Sequence, residues 1–292
     1  MSNFNRYISY SQLSMYNLCE YKWYLAYIKK ISMFQDNIHL VFGTSMHDTL
    51  QLYFRTHLEK GIDEANSLDL RSILKERLKS VFKESQEKYD KPPCTIDEIK
   101  EAYLDGVEII NYIKENPLDI TLGNTYEFIG VEYPIRVHLN PHILFTGNLD
   151  FVFKDTKTDI IYIKDFKTST RGWDKWQLDD KTKTQQLLLY KKFYSDVHKI
   201  PLEKIHIEYI ILKRKVELPD QPRIQLFTPK ESAGIIMNLI KNVDTFVSSC
   251  FKDANFNTDK VYAKTATNKA CMFCDYNNTE HCDAPNFKYN KD

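Results

Sequence analysis

The first 125 residues carry apolar side chains at the spacing of amphipathic helices. In residues 9–30 these side chains recur three or four positions apart, which predicts two short helices, with Ser11 as the N-cap of the first and Cys19 near the break between them. The same spacing predicts further helices over 44–57, 67–89 and 95–115. The last two helices are rich in Lys and Glu and carry no candidate chemistry, so residues 60–118 are interpreted as a helical insertion.

After residue 125 the pattern changes from the period of helices to that of strands. Short runs of β-branched and aromatic residues, separated by polar turns, predict strands over 126–137, 143–153, 160–167, 205–212 and 223–227. Two helices complete the pattern, one over 181–198 and one that begins at Pro229 and reaches about Cys250. Strands interleaved with helices predict an α/β fold, with a mixed sheet flanked by helices.

The hairpin formed by two of these strands carries candidate chemistry. Two apolar runs, 149–153 and 160–163, flank a polar turn; Asp150 lies in the first, and Asp165 and Lys167 follow the second. Because strand side chains alternate between faces, Asp165 and Lys167 point the same way, and pairing can bring Asp150 beside them. Two carboxylates and an ammonium on one sheet edge can hold Mg²⁺ and stabilise an anionic transition state. The alternative is an exposed hairpin with scattered charges.

Composition narrows the class of protein without choosing a function. The 292 residues have zero net charge, 42% are hydrophobic, and Gly (8) and Pro (10) are scarce, so a packed core is expected and long disordered linkers are not. Between Lys154 and Lys215, 15 Lys and Arg stand against 9 Asp and Glu, which favours a phosphate-bearing ligand, although a solvated face has the same pattern. No 18-residue apolar run and no signal-peptide pattern occur, so an intracellular, cytoplasmic protein with no membrane partner is expected.

The segment after the hairpin adds polar and aromatic candidates. Gln186 and Tyr190 are four residues apart on the predicted helix 181–198 and share one face, where they meet the sheet edge or a nucleic-acid strand, or else make a surface contact. Trp173 and Trp176 lie in the loop before that helix.

Together these motifs resemble the RecB-type branch of the PD-(D/E)XK nuclease superfamily, which includes Cas4 and the AddB nuclease domain. That branch has a His on an early helix, an Asp after a strand, a (D/E)-x-K strand and a Gln-x-x-x-Tyr helix. The matching residues occur in this order: His47, Gly147-Asn-Leu-Asp150, Asp165-Phe-Lys167 and Gln186-Leu-Leu-Leu-Tyr190. The early stretch Leu13-Ser-Met-Tyr-Asn-Leu-Cys19-Glu-Tyr-Lys-Trp-Tyr-Leu25 is also similar to this branch.

The resemblance implies one nuclease domain over 1–292 with a restriction-endonuclease-like mixed central sheet flanked by helices. The helical insertion at 60–118 would interrupt this domain, and a Cys-rich C-terminal segment, 255–292, would close onto the N-terminal helix.

The resemblance also implies roles for the acidic hairpin. Asp150 and Asp165 would bind one or two Mg²⁺ or Mn²⁺ ions, with the backbone carbonyl of Phe166 and the imidazole of His47 as further ligands. Lys167 would position the attacking water or neutralise the scissile phosphate.

For five other residues, two roles each are compatible with the sequence. Glu132 is either an extra acid beside Asp150 or an ordinary exposed strand residue. Gln186 and Tyr190 would hold the DNA strand or order the Lys167 strand. Trp173 and Trp176 either stack on unpaired bases, an interaction worth about 1–3 kcal/mol per base, or fill the edge of the core.

The cysteines complete the resemblance. Cys271, Cys274 and Cys282 lie close together near the C-terminus, and Cys19 is some 250 residues earlier. In Cas4 and AddB the same arrangement holds a [4Fe–4S] cluster, and four thiolates can hold either such a cluster or Zn²⁺. The gap before Cys282 is longer than is usual in the family, so His281 is an alternative ligand, and three unrelated reduced cysteines are the remaining possibility.

The function that follows is a metal-dependent deoxyribonuclease that hydrolyses phosphodiester bonds, as an exonuclease on single-stranded DNA ends in recombination, repair or processing. One alternative is a partner-dependent nuclease subunit, coupled to a helicase or acting as a Cas4-like adaptation factor. The chain has no G-x-x-x-x-G-K-[ST] motif, so a helicase or recombination partner would be a separate protein. The other alternative is a non-catalytic iron–sulfur DNA-binding protein, which would have no need of the Asp150, Asp165 and Lys167 triad.

Overall fold

The computed structural model describes residues 6–116, 126–218 and 220–283, and the chain forms two compact units. The described residues of unit 1 are 6–34, 135–147 and 231–283. Those of unit 2 are 35–116, 126–134, 148–218 and 220–230. Residues 117–118 of the predicted insertion and 284–292 of the predicted Cys-rich segment lie outside the described residues. No helix in the described ranges combines the length and apolar character that crossing a membrane requires.

Unit 2 contains the predicted helical insertion. Its first helices are α3 (Ile38–Lys60), α4 (Ile62–Ser67), α5 (Leu70–Tyr89) and α6 (Ile96–Glu115). Buried side chains of α3 pack against those of α5 and α6, and Gly106 of α6 leaves room for this packing because a Cβ atom there would lie 2.5 Å from Leu74. The insertion is therefore part of the core of unit 2.

The sheet of unit 2 is mixed, as predicted. Its strands are the later residues of β3 (Ile143–Asp155), β4 (Ile161–Ser169), β5 (Ile205–Lys213) and β6 (Ile224–Phe227). β3 and β4 pair antiparallel as the predicted hairpin, β4 and β5 are parallel, and β5 and β6 are antiparallel. β2 (Tyr126–His138) pairs with β3, and both strands run from one unit into the other along the chain.

Helices cover both faces of this sheet. Between β4 and β5 the chain forms α7 (Lys175–Leu178), α8 (Lys181–His198) and the 3₁₀ turn Leu202–Lys204. Along β5, Ile210 packs into the same core as α3, whereas the hydroxyl of the preceding Tyr209 donates to the Lys183 carbonyl of α8, 2.8 Å away. Alternating residues of one strand thus contact helices on opposite faces.

Unit 1 combines the two ends of the described chain. It contains β1 (Arg6–Ile8), α1 (Tyr10–Leu18), α2 (Glu20–Trp23), the π-helical turn Tyr24–Ile28, α9 (Ala233–Cys250), β7 (Phe251–Lys252), β8 (Asn255–Phe256) and α10 (Asn268–Cys271). β1 pairs in parallel with the first residues of β3, with Arg6 opposite Ile143. The fully buried Trp23 ring is surrounded by aromatic rings, which are those of Tyr16, Phe246, Phe251, Phe256 and Tyr262.

Three helices begin at residues other than those predicted. The N-cap of α1 is Ser9, not Ser11, because Tyr10 is already a buried residue of the helix. The N-cap of α3 is Asn37, whose side chain accepts from two backbone N–H groups, so this helix starts six residues before the predicted position. The Ser232 side chain caps α9 in the same way, which moves its start from Pro229 to Ala233.

Candidate active site

The two acids of the hairpin lie together in unit 2. Phe151 of β3 pairs with Lys164 of β4, and this register places Asp150 and Asp165 at adjoining positions of the two strands. Both carboxylates are buried, and the backbone N–H of Phe166 donates to Asp150 Oδ2 at 2.8 Å. The predicted pairing is therefore confirmed, and the acids are not exposed residues of a surface hairpin.

Lys167 lies on the same side of β4 as Asp165. Its Nζ is 2.6 Å from Asp165 Oδ2 and 5.8 Å from the centre of the Tyr209 ring. Burial alone would lower the pKa of the Lys167 ammonium, but Asp165 and Asp150 raise it above its ordinary value, so Lys167 carries a positive charge at neutral pH. Burial raises the pKa of the Asp165 carboxyl, and Asp150 raises it further, although Lys167 opposes this shift.

His47 of α3 reaches the same acids. Its Nε2 is 2.7 Å from Asp150 Oδ2, and its Nδ1 faces Gln51, one helical turn later, with Gln51 Nε2 at 2.6 Å. Burial would lower the pKa of His47, but the hydrogen bond to Asp150 and the charges of Asp165 and Glu132 raise it above its ordinary value. The predicted His47 side chain thus belongs to the acidic site.

Glu132 also belongs to this group. Its Oε1 accepts from Gln51 Nε2 and lies 3.9 Å from His47 Nδ1, and its Oε2 accepts from Asn148 Nδ2 at 2.8 Å. The interpretation of Glu132 as an ordinary exposed strand residue is therefore wrong, because its side chain is about three-quarters buried beside His47.

The donor set fits a divalent cation. His47, Glu132 and Asp150 each offer a ligand atom, and these atoms lie within 4.8 Å of one another. Asp165 Oδ2 is fully buried and, apart from its ion pair with Lys167, has no hydrogen-bond donor among the described residues. Buried carboxylate oxygens next to an imidazole are suited to Mg²⁺ or Mn²⁺.

A pocket leads to these residues between α3 and β4. Its lining includes His47 and Lys167 as well as Asp48, Phe166 and Leu212. Gly43, Thr44 and Thr168 complete it, and a Cβ atom at Gly43 would lie 3.2 Å from Thr168 Oγ1. The glycine thus keeps the first turns of α3 close to β4 while leaving space at the pocket.

Gln186 and Tyr190 form the predicted pair on α8. Gln186 Nε2 donates to the Tyr190 hydroxyl at 3.2 Å. Tyr190 is buried, burial raises its pKa, and it interacts electrostatically with Asp165 and Lys167. The pair therefore faces the acidic site.

The two tryptophans differ in burial. Trp173 is 8% exposed and packs against Tyr209 and Phe227, which leaves little of its ring for a base. Trp176, on the short helix α7, is 86% exposed. Trp173 fills the edge of the core, and Trp176 presents its ring to solvent.

The four cysteines of the predicted cluster lie around one small cavity in unit 1. Its lining includes Cys19, Cys271, Cys274 and Cys282 but not His281. Cys19 forms the junction between α1 and α2, and its sulfur accepts from the Thr265 N–H at 3.4 Å, so the C-terminal segment does contact the N-terminal helices. The solitary Cys94 and Cys250 are not among the lining residues.

Sequence reasoning gave no role to two polar residues of the acidic site. Gln51 is four residues after His47 on the same helix face, and this spacing could have indicated that Gln51 contacts His47. Asn148 precedes Asp150 by two residues within a matched motif, but its contact with Glu132 depends on a neighbouring strand. The signal for Asn148 was therefore absent from the local pattern.

The chain matches one protein family and is similar to solved structures. A family model described as the PD-(D/E)XK nuclease superfamily matches residues 7–279. Among solved structures, the chain is similar to the crystal structure of a "Putative exonuclease" from Eubacterium rectale, with a TM-score of 0.46 and 14% identity over 82% of this chain and 78% of that chain. No curated protein matches the chain.

Proposed function

Because the chain belongs to the PD-(D/E)XK nuclease superfamily, we propose that it is a metal-dependent deoxyribonuclease of the RecB type, acting as an exonuclease on single-stranded DNA ends. The mixed sheet of unit 2, with helices on both faces, is the fold of that superfamily. The observation that carries the proposal is the buried group of Asp150, Asp165 and Lys167 on neighbouring strands.

The acidic site would hold Mg²⁺ or Mn²⁺. Asp150 and Asp165 would supply carboxylate oxygens, the Phe166 carbonyl a backbone oxygen, and His47 an imidazole nitrogen. When bound, such an ion polarises a phosphoryl group and lowers the pKa of a coordinated water molecule.

Lys167 supplies a positive charge to the reaction. Its ammonium stays protonated between Asp165 and Asp150, so it stabilises the negative charge that grows on the scissile phosphate or orients the attacking water through an N–H donor. Tyr190 and Gln186 would keep this ammonium in place from the α8 side, because the Tyr190 ring is buried and its hydroxyl is held by Gln186.

Single-stranded DNA is the substrate that the exposed Trp176 supports. The Trp176 ring is 86% exposed on α7, the short helix that also contains Lys175 and follows Arg171, so it offers a stacking surface beside cations. Such platforms bind unpaired bases with little sequence preference. This helix follows β4, the strand of Asp165 and Lys167, after five residues of the chain.

A [4Fe–4S] cluster is the group that we propose for the four cysteines. Cys19, Cys271, Cys274 and Cys282 line one small cavity, and a [4Fe–4S] cluster is bound by four cysteine thiolates.

The nuclease proposal is tested with end-labelled single- and double-stranded DNA in Mn²⁺. The wild-type protein should shorten single strands from an end, and Asp165→Asn should abolish cleavage while circular dichroism shows a folded protein. Asp196→Asn is a matched control, since Asp196 is a half-exposed acid of α8 that pairs with Lys192. Full cleavage by Asp165→Asn would refute the assignment of the site, and products cut internally would refute exonuclease action.

The cluster proposal has its own measurement. Protein purified without oxygen should contain about four iron atoms and absorb broadly in the visible range. Cys19→Ser and Cys271→Ser should each lose the iron, whereas Cys94→Ser should keep it. Stoichiometric zinc in colourless protein, or iron retained by Cys19→Ser, would contradict the proposed ligand set.

A further inference from the structure

Two cations lie side by side at one end of the sheet of unit 2. Lys213 is the last residue of β5, and its backbone N–H donates at 2.8 Å to the carbonyl of Arg223, the residue before β6. Both side chains are half-buried, and neither forms an ion pair within the described part of the chain. Burial and the Arg223 charge lower the pKa of Lys213. Because two adjacent cations repel each other, an anion bound between them would stabilise both.

The strand register places this cation pair close to the acidic site. Lys167 of β4 pairs with Ile211 of β5, and Lys213 is two residues further along β5. Paired residues of neighbouring strands point to one face of a sheet, and alternate residues of a strand share that face, so Lys167 and Lys213 are on the same side. A rise of about 3.3 Å per residue and a strand spacing of about 4.8 Å put their Cα atoms about 8 Å apart.

The loop after β4 is fixed against the same pair. The Gln225 side chain of β6 accepts from the Trp173 N–H at 2.7 Å and donates to the Trp173 carbonyl at 3.0 Å. Gly172 has a φ of 100°, and a Cβ atom there would lie 3.2 Å from Lys213 Cδ. The Lys213 stem therefore packs on the loop, whose exposed Arg171 lines an open pocket at this end of the sheet.

Phosphate is the anion that these groups suit. A guanidinium donates to two phosphate oxygens at once, and an ammonium adds a point charge. One N–H of Arg223 donates to the Arg214 carbonyl at 2.5 Å, and a guanidinium has four other N–H donors. Asp174 is the acid that lines the pocket, and its carboxylate accepts from the Gln177 N–H at 2.8 Å as the N-cap of α7.

We propose that Lys213 and Arg223, with Arg171 beside them, bind a backbone phosphate of single-stranded DNA that flanks the scissile phosphate at Lys167. This inference rests on the proposed deoxyribonuclease function and names the part of the substrate that this end of the sheet holds. A site that contacts phosphate alone carries no sequence information, so it binds strands of any base composition.

The proposal is tested by the salt dependence of DNA binding. Fluorescence anisotropy with labelled oligothymidylate and oligoadenylate, in EDTA to prevent cleavage, gives the slope of log affinity against log salt concentration. Each phosphate neutralised on a single strand contributes about 0.7 to this slope. The double variant Lys213→Gln with Arg223→Gln should therefore lower the slope by about 0.7 for both probes, and Lys213→Arg with Arg223→Lys should keep it, because the charges remain.

The matched control removes two cations from the other end of the same sheet. Lys154 and Lys204 both pair with the exposed Asp159, and Lys154→Gln with Lys204→Gln should leave the slope unchanged. Circular dichroism checks the fold of each variant. Lys213→Gln alone is the second variant if the double variant does not fold, and it should lower the slope in the same direction.

Three results would overturn the proposal. They are an unchanged slope in the folded Gln variants, an equal reduction in the Lys154 and Lys204 control, and a reduction confined to one of the two probes. If the wild-type protein neither binds nor cleaves single-stranded DNA, the proposed function itself fails. A wild type that binds and cleaves, with a slope that the Gln variants share, confines the failure to Lys213 and Arg223.

Discussion

Replacing Asp105 should destabilise unit 2 more than replacing its partner Arg214. Asp105 lies on α6 of the insertion, and Arg214 follows β5 directly; both side chains are less than a tenth exposed. Arg214 Nε donates to Asp105 Oδ2 at 3.0 Å, and Lys215 Nζ is 2.8 Å from Oδ1. Asp105 therefore has two cationic partners. In the described part of the chain, Arg214 forms its ion pair with Asp105 alone.

This asymmetry sets the expected magnitudes. Asp105→Asn leaves the Arg214 guanidinium buried without a carboxylate, and breaking a buried pair in this way costs about 3–5 kcal/mol. Arg214→Met leaves Asp105 paired with Lys215 and keeps apolar volume over the Phe42 ring, so it should cost about 1–2 kcal/mol, from the lost hydrogen bond and cation–π contact. The central expectation is that Asp105→Asn lowers the free energy of unfolding more than Arg214→Met does.

The assay is equilibrium unfolding in urea, followed by circular dichroism. Asp97→Asn on the same helix is the control, because its pair with Lys100 is exposed and its loss should change the free energy of unfolding by less than about 0.5 kcal/mol. Equal losses for Asp105→Asn and Arg214→Met, or a loss below about 1 kcal/mol for Asp105→Asn, would refute this reasoning.

Three further predictions concern Gly43 of the pocket and the two tryptophans. Gly43→Val should lower DNA cleavage, because its Cβ would crowd Thr168 Oγ1 at 3.2 Å and its methyl groups would enter the pocket; a gel assay measures the loss. Trp173→Ala should destabilise the fold by about 3–5 kcal/mol in urea unfolding, as loss of a buried ring does. Trp176→Ala should leave stability within about 0.5 kcal/mol but weaken single-stranded DNA binding by about 1–3 kcal/mol, measured by fluorescence anisotropy.

The control for Gly43→Val is a glycine elsewhere in the chain. Gly234→Ala lies at an open helix position, with the nearest atom 3.9 Å from its added Cβ, and should keep full cleavage. Unchanged cleavage by a folded Gly43→Val would mean that the substrate does not enter this pocket. A stable Trp173→Ala, or equal DNA binding by wild type and Trp176→Ala, would contradict the assigned burial or the stacking role.

Local patterns accounted for much of the acidic site. The polar turn between two apolar runs predicts the hairpin, and the hairpin alone brings Asp150 beside Asp165. The i, i+4 spacing of Gln186 and Tyr190 predicts their contact, because a helix places such residues on one face. These features depend on contacts between residues that are close together in the sequence.

Other features depend on contacts that a local pattern does not contain. The left-handed backbone of Glu132 is held by side chains from α3 and β3, so the sequence around it looks like an ordinary strand. Trp173 and Trp176 have similar neighbours, yet packing against Tyr209 buries only the first of them. The predicted start of α3 also differs from the observed one. The prediction placed the start after Gly43, because a glycine resembles a helix boundary, whereas Asn37 caps the helix six residues earlier.

The placement of the cysteines has a consequence for the order of folding. Unit 1 draws its residues from both ends of the chain, and Cys19 meets a segment about 250 residues later. Closing a loop of that length costs about 5 kcal/mol of chain entropy. During synthesis, every described residue of unit 2 emerges from the ribosome before Cys271, Cys274 and Cys282 do. The cysteine-lined cavity is therefore completed only after all described residues of unit 2 have emerged, and a chain truncated before Cys271 would retain Asp150, Asp165 and Lys167 without the cysteines that complete this cavity.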